Sequence, residues 1–403
     1  MFGGRKSPAV VVAGAGPAGL LGALSLVERG VTLELIGTSS SDAAKRLRRS
    51  RGSACVLHPR SLALLNRHGV TAHVLARAQL VRTLWIYSGA RHLATLSFER
   101  AAQERGLPFP FAAVVPHADL VGCLREALGQ RGVRVHDQRR LARIEQGAAR
   151  VRIEIDHLES ESAGYATAHS ELAVYDSKQL EPELVLAADG HRSLARQQLE
   201  LGFRELRPAE RCVVFQAQAR SSQPRDAVLV LGDEGSLALW PLPGDRYQGM
   251  LSVGAGPEST GELSAWPAWL APQVVPRLGE IEERGELDVE YRVVSGWGRG
   301  RVWLAGGAAH STSPLGYQSL NVGLCEATRL AELFAGILRG DAPLEALAVY
   351  DDERSREWQR LLLERPPPVL QGVPGAQRLP LCIPAGGADL DALLEQLSLG
   401  ERA

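Results

Sequence analysis

The 403-residue sequence has no surplus of charge: 45 Lys and Arg stand against 46 Asp and Glu, for a formal net charge of -1. Without a basic excess there is no global electrostatic footprint for nucleic acid. No apolar run approaches the ~20 residues that cross a bilayer. The opening residues 1–8 are too few and too polar for a secretion signal. These absences lead us to expect a cytoplasmic protein with no membrane span, no nucleic-acid partner and a small molecule to act on. Cysteine is scarce: Cys55, Cys123, Cys212, Cys325 and Cys382 are scattered, with no CxxC pair. That spacing indicates neither a zinc site nor a disulfide framework, so we read them as reduced, buried thiols and expect no metal. No pattern suggests a nucleophilic triad. The 45% hydrophobic content is ample for a core, and the length suits one large or two ordinary domains.

A strand, a glycine turn and a helix open the chain. Val10–Ala13 is apolar, Gly14-Ala15-Gly16-Pro17-Ala18-Gly19 follows, and residues 20–29 read as a helix. In such a turn the first glycine permits the tight bend, the second admits a pyrophosphate, and the third lets helix and strand pack closely. The phosphate then rests on the N–H groups of the helix N-terminus. A second strand over 32–36 should end in an acid that grips a ribose diol, but the residue there is Gly37. A basic stretch over 45–51 follows, which is either a solvated loop or a phosphate contact.

Further on, alternation predicts a hairpin around Ser88-Gly89, a helix over 119–130 and strands over 151–155, 171–175 and 184–187. From Arg211 to Val253 strand patterns dominate, which predicts a second, mainly antiparallel region. Residues 262–284 read as helix broken by Pro267, Pro272 and Pro276. Helices are expected over 319–339, 344–363 and 389–397, with a Pro- and Gly-rich tail after Arg365.

Two later motifs strengthen the first. One is Ala188-Asp189-Gly190 with Arg192-Ser193 and Arg196. The other is Leu304-Ala305-Gly306-Gly307-Ala308-Ala309-His310, followed by Pro314-Leu315-Gly316-Tyr317-Gln318-Ser319-Leu320-Asn321. With Arg51-Gly52-Ser53 and Tyr350-Asp351-Asp352-Glu353-Arg354, the chain to about Leu363 resembles the class A FAD-dependent monooxygenases of the para-hydroxybenzoate hydroxylase type. The resemblance implies an α/β fold with a glutathione-reductase-like, Rossmann-type FAD domain from 1–80, 110–201 and 291–339. A β-rich substrate domain would come from 81–109 and 202–290, and a helical C-terminal region from 340–403. It implies FAD as cofactor and NADPH or NADH as transient reductant. It assigns cofactor contacts to Gly14, Gly16, Gly19, Arg51, Asp189, Gly190, Gly306, Gly307, Pro314, Gly316 and Asn321. Substrate is expected between the β region and the turn 314–319, at Gln216, Gln218 and Tyr317, with Tyr317 also a candidate proton donor. Gln216 and Gln218 share one face of their strand.

The sequence departs from the family pattern where FAD is held. Gly37 replaces the ribose acid, Gly307 replaces the acid of the ribityl contact, and Tyr317 and Ser319 flank Gln318 where glycines are usual. Each lost charged hydrogen bond is worth roughly 1.5–3 kcal/mol. Two together would weaken FAD about a hundred- to ten-thousand-fold. Three readings follow. The first is an FAD monooxygenase acting on an aromatic or polyketide-like molecule. The second keeps the fold without flavin, as a cyclase, isomerase, dehydratase or binder. The third is an NADP-binding oxidoreductase that uses the basic stretch for a 2′-phosphate. Plainer roles stand beside these: Asp189 as a helix cap, His310 as a structural residue, and Phe215 and Trp240-Pro241 as core.

Overall fold

The computed structural model describes residues 7–38, 54–160, 172–220, 226–233, 235–253, 269–274, 277–363, 371–383 and 388–399. Arg51 and the basic stretch lie outside these residues, within the undescribed residues 39–53. A six-stranded sheet carries the glycine turn. Val10–Ala13 sits inside it, parallel to Leu33–Gly37 on one side and Leu184–Ala187 on the other. Both inner strands Val10–Ala13 and Leu184–Ala187 are wholly buried, which is why they are unbroken apolar runs rather than alternating ones. The helices Pro17–Val27 and Gln318–Arg339 pack on this sheet and on each other.

The β region forms a separate, eight-stranded sheet. It combines the hairpin Thr83–Ser88 and Arg91–Ser97 with Phe203–Ala219, Ala227–Leu231, Gly235–Leu242, Arg246–Val253, Leu278–Val294 and His310–Ser311. Its pairing is antiparallel except where Ala227–Leu231 runs parallel to Thr83–Ser88. The expected α/β class, with one parallel sheet and one β-rich part, is what the chain adopts. Residues alternate along these strands. Val213, Phe215 and Ala217 belong to an outer core with Leu270 and Val274. Cys212, Trp240, Met250 and Tyr291 belong to the core shared with the parallel sheet.

One expectation is overturned. Residues 278–284, read as part of a broken helix, open a 17-residue strand, Leu278–Val294. It pairs along its length with the equally long Phe203–Ala219. Glu280, Glu282 and Glu283 suit a helix, but a long partner strand satisfies the backbone, and pairing overrides propensity. The tail is also more ordered than its composition suggests. Leu379, Cys382 and Ile383 are buried, and Leu379–Cys382 packs on the turn Pro314–Gly316. No helix among the described residues is long and apolar enough to cross a membrane.

Candidate functional site

The three motif turns converge. Gly14 has φ +118°, and a Cβ there would lie 2.0 Å from the Ala188 carbonyl oxygen. A Cβ on Gly19 would lie 2.0 Å from the Gly14 oxygen. Gly14 is thus demanded by packing between the first and second motifs, and Gly19 by packing within the first. Gly16 differs, because nothing lies within 4 Å of its Cβ position. Helix Pro17–Val27 starts there with no side-chain cap and with proline in its first turn. Its first N–H groups lack intrahelical acceptors, the arrangement that receives an anion.

In the second motif, Asp189 Oδ2 accepts from the Leu194 and Ala195 N–H groups at 2.9 and 3.2 Å. Asp189 therefore holds the start of helix Leu194–Gln198. Burial raises its pKa, against Ser193 and the backbone N–H groups that pull it down. Gly190 (φ +85°) has open space around its Cβ position, and the Gly307 Cβ would make ordinary contact, 3.5 Å from the Gly190 Cα. Arg196 clamps the two turns by donating to the Ala308 and His191 carbonyls, both at 2.8 Å. Gly306 packs on Ala18, 3.0 Å from its Cβ position, and on Gly323.

Beneath this junction lies a wholly buried carboxylate. Glu326 Oε2 accepts from the Gly306 N–H at 2.8 Å and pairs with His310 Nε2 at 2.9 Å. Its Oε1 accepts from Trp358 Nε1 at 2.8 Å. Burial works to raise the Glu326 carboxyl, yet the His310 charge and the hydrogen bonds outweigh it and hold the carboxyl below its ordinary value. His310, stacked on Trp358 with ring centroids 4.0 Å apart, is a structural partner of this carboxylate.

Gly37 leaves no space for the acid that its position calls for. A Cβ there would sit 2.5 Å from the Ala15 Cβ.

The turn after the third motif faces the eight-stranded sheet. Trp240 Nε1 donates to the Leu315 carbonyl at 3.2 Å, tying sheet to turn. Tyr317 caps helix Gln318–Arg339 in a left-handed conformation (φ +50°, ψ +27°). Its hydroxyl is buried without a hydrogen-bond partner among the described residues. Burial, reinforced by Cys55 and Cys212 beside it, raises its pKa well above the ordinary value. Asn321 is fully engaged. Its Oδ1 accepts from the His58 N–H and the Ser61 hydroxyl, and its Nδ2 donates to the Val56 and Tyr317 carbonyls. Its side chain thus binds the turn to the helix Pro59–Arg67 and leaves nothing for a ligand. Ser319 bonds Thr312 at 2.7 Å, and Gln318 donates to the Pro380 carbonyl.

A polar cluster that the sequence did not reveal lies across from this turn. Glu210 Oε2 accepts from the Ser252 hydroxyl at 2.6 Å and from the Tyr291 hydroxyl at 3.1 Å. Arg378, from the tail, approaches Glu210 Oε1 at 3.5 Å and donates to Ser252 at 3.1 Å. Burial first, and then Glu210, push the Tyr291 hydroxyl far up, with Ser313 opposing. Cys212 and Cys382 adjoin this cluster, and burial pushes both thiols, like Cys55, to about 12.

Gln216 and Gln218 do share a face with Glu210, but Gln216 is six residues along the strand, roughly 20 Å at ~3.3 Å per residue. Gln216 bonds Gln248 and Arg246, and the exposed Gln218 bonds Glu282. The structure therefore brings Pro314, Gly316 and Tyr317 to the polar cluster, while the two glutamines sit elsewhere on the sheet. Only the alternation of Glu210 with Cys212 and Gln216 could have flagged Glu210 in advance. Among the described residues, no group of His, Cys, Asp and Glu is placed to hold a metal.

The family model described as an FAD binding domain matches residues 7–364. The 6-methylpretetramide 4-monooxygenase of Streptomyces rimosus is 27% identical over 371 residues, which cover 88% of this chain and 60% of that protein. Pentachlorophenol 4-monooxygenase of Sphingobium chlorophenolicum is 24% identical over 383 residues, 89% of this chain and 64% of that one. The chain thus spans about 60% of the length of the first of these relatives. Among solved structures, p-nitrophenol 4-monooxygenase of Pseudomonas putida superposes with a TM-score of 0.72 at 20% identity, covering 98% of both chains. A flavin-dependent monooxygenase solved with FAD and substrate gives 0.66 at 20% identity, covering 89% of this chain and 62% of that one. At such identities the superpositions speak for the fold.

Proposed function

The chain belongs to the class A FAD-dependent monooxygenase family, and on that premise we propose that it holds FAD, accepts electrons from NADPH or NADH, and inserts one oxygen atom into an aromatic or polyketide-like small molecule. The observation that carries this reading is the open Gly16 position at the meeting point of three motif turns. A side chain would fill that cradle, and Gly14, Gly19 and Gly306 around it are closed by packing. The cradle fits a pyrophosphate, and Gly190 and Gly307 leave room beside it. FAD, when bound, would supply the redox chemistry and the activation of oxygen.

This chain's own residues do the rest. Gly14, Gly16 and Gly19 shape the phosphate turn, with the first N–H groups of helix Pro17–Val27 facing it. Asp189 and Arg196 hold the second turn in place. Gly306, fixed by Glu326, and Gly307 form the third. Pro314, Gly316 and the N-terminus of helix Gln318–Arg339 present a positive dipole end to the cleft. Tyr317 holds a proton at a buried hydroxyl, and its raised pKa keeps it a donor rather than an anion. The Glu210–Tyr291–Ser252–Arg378 cluster offers polar contacts to a substituted ring, and the tail residues Leu379 and Ile383 help exclude water.

The test is visible absorbance of the purified protein, followed by oxygen uptake with NADPH and a panel of phenolic and polycyclic substrates. A chain that stays colourless and takes up no flavin at saturating FAD defeats the reading. A second reading, in which the same cleft works without flavin, draws on one observation: position 37 has no room for a ribose-binding acid. Turnover of a substrate with no flavin and no reductant present would establish it.

A further inference from the structure

A groove of about 630 Å³ lies between two helices, apart from the motif turns and the polar cluster. That volume suits a small-molecule site. One wall is helix Pro59–Arg67, which contributes Arg60, Ala63, Leu64 and Arg67. Their i, i+3, i+4, i+7 spacing puts all four on one face, with an arginine at each end and an apolar strip between. The other wall is helix Leu347–Leu363, whose Arg356 and Arg360 recur at i, i+4. In all, six arginines and two glutamates line the groove.

Charged helix faces are usually just solvated, so the balance of charge decides. Both carboxylates are already matched. Glu357 pairs with Arg354, and Glu353 pairs with Arg329, which lies outside the groove, at 3.1 Å. Arg360 pairs with Asp391. Arg67 has no hydrogen-bond or ion-pair partner among the described residues. Among the described residues, the Arg356 guanidinium reaches back only to the Asp352 carbonyl, at 3.1 Å. Guanidinium forks on two facing walls match the oxygens of a phosphate, which Arg binds in paired fashion.

We propose that this groove binds an anion bearing a pyrophosphate, its phosphates spanning Arg67 and Arg356 and its apolar part resting on Ala63 and Leu64. The proposal stands whether or not the chain holds FAD. Two sources share this chemistry, a nicotinamide dinucleotide and a simple nucleotide.

The whole chain is titrated calorimetrically with inorganic pyrophosphate, ADP and NADPH, and each titration is repeated on the double variant Arg67→Gln, Arg356→Gln. Both side chains are exposed, and thermal melts of the variant check that it folds. The expected result is saturable binding that weakens about tenfold or more in the variant and falls with salt. NADPH binding more tightly than ADP identifies the dinucleotide as the source, and equal binding identifies the phosphates alone. No saturable binding to the parent overturns the proposal. So does binding that the double variant leaves unchanged, because the anion then sits elsewhere, at the Gly16 turn above all.

Discussion

Tyr317 combines a left-handed backbone with a buried hydroxyl that has no acceptor. The first costs a non-glycine residue of order 1–3 kcal/mol, and the second about as much. Tyr317→Phe removes the orphaned hydroxyl, so we expect a gain in stability of about 1 kcal/mol together with weaker substrate binding. Tyr317→Gly relieves the backbone and opens volume, and it should raise FAD affinity where Phe does not. Flavin-fluorescence titrations beside thermal melts read both, and identical behaviour of the two variants would remove Tyr317 from the site. The two missing acids separate in the same way. Gly307→Asp meets only ordinary contacts, so one charged hydrogen bond should tighten FAD roughly 10- to 100-fold. Gly37→Glu drives a Cβ to 2.5 Å from the Ala15 Cβ, so it should weaken FAD by moving the glycine turn. A gain in affinity from Gly37→Glu would show that the turn yields freely.

Among the elements, Glu326 joins helix Gln318–Arg339, the Gly306 turn and helix Leu347–Leu363 through its three hydrogen bonds. Removing one partner of a buried charged pair costs about 3–5 kcal/mol, and Glu326→Ala should lose that much. Because folding lowers the Glu326 pKa, its stabilisation is present above the ordinary carboxylate value and is lost as pH falls through the folded value. Melting temperature against pH should therefore fall less steeply with acid in Glu326→Gln than in the parent. A parallel slope would mean that Glu326 does not titrate with unfolding. The tail makes a second element-scale case. Leu379 is fully buried, so Leu379→Ala should cost about 2–5 kcal/mol in a denaturant melt. Arg378→Ala should instead spare stability and raise KM, since among the described residues the Arg378 side chain reaches Glu210 and Ser252 at the cluster's rim.

These elements also show what the sequence could carry. The three motif turns were legible because local sterics dictate them: Gly14 and Gly19 have no room for a Cβ. Helices with a clear apolar period, such as His117–Gln130 and Gln318–Arg339, were legible for the same local reason. Leu278–Val294 was not, because its partner strand lies some sixty residues away. The polar cluster was hidden for a related reason. Glu210, Ser252, Tyr291 and Arg378 come from four separate segments, and no spacing rule connects them. Alternation does place Gln216 and Gln218 on one face of the strand, shared with Glu210, but it carries no information about position along the strand.

At the scale of the whole molecule, the parallel sheet and the eight-stranded sheet meet over one continuous core. Cys55 comes from the small sheet beside the first, Cys212 from the second, and Cys382 from the tail laid across the seam. Each is nearly inaccessible, and each thiol is held protonated by burial, with a pKa of about 12. An alkylating reagent needs both access and a thiolate, so these three should stay unmodified while the partly exposed Cys325 reacts first. Their labelling then becomes a clock for separation of the two halves: the three should react at one shared rate, and FAD or substrate in the cleft should slow all three together. Three unrelated rates, read by mass spectrometry over time, would instead mean that strand, sheet and tail come loose independently.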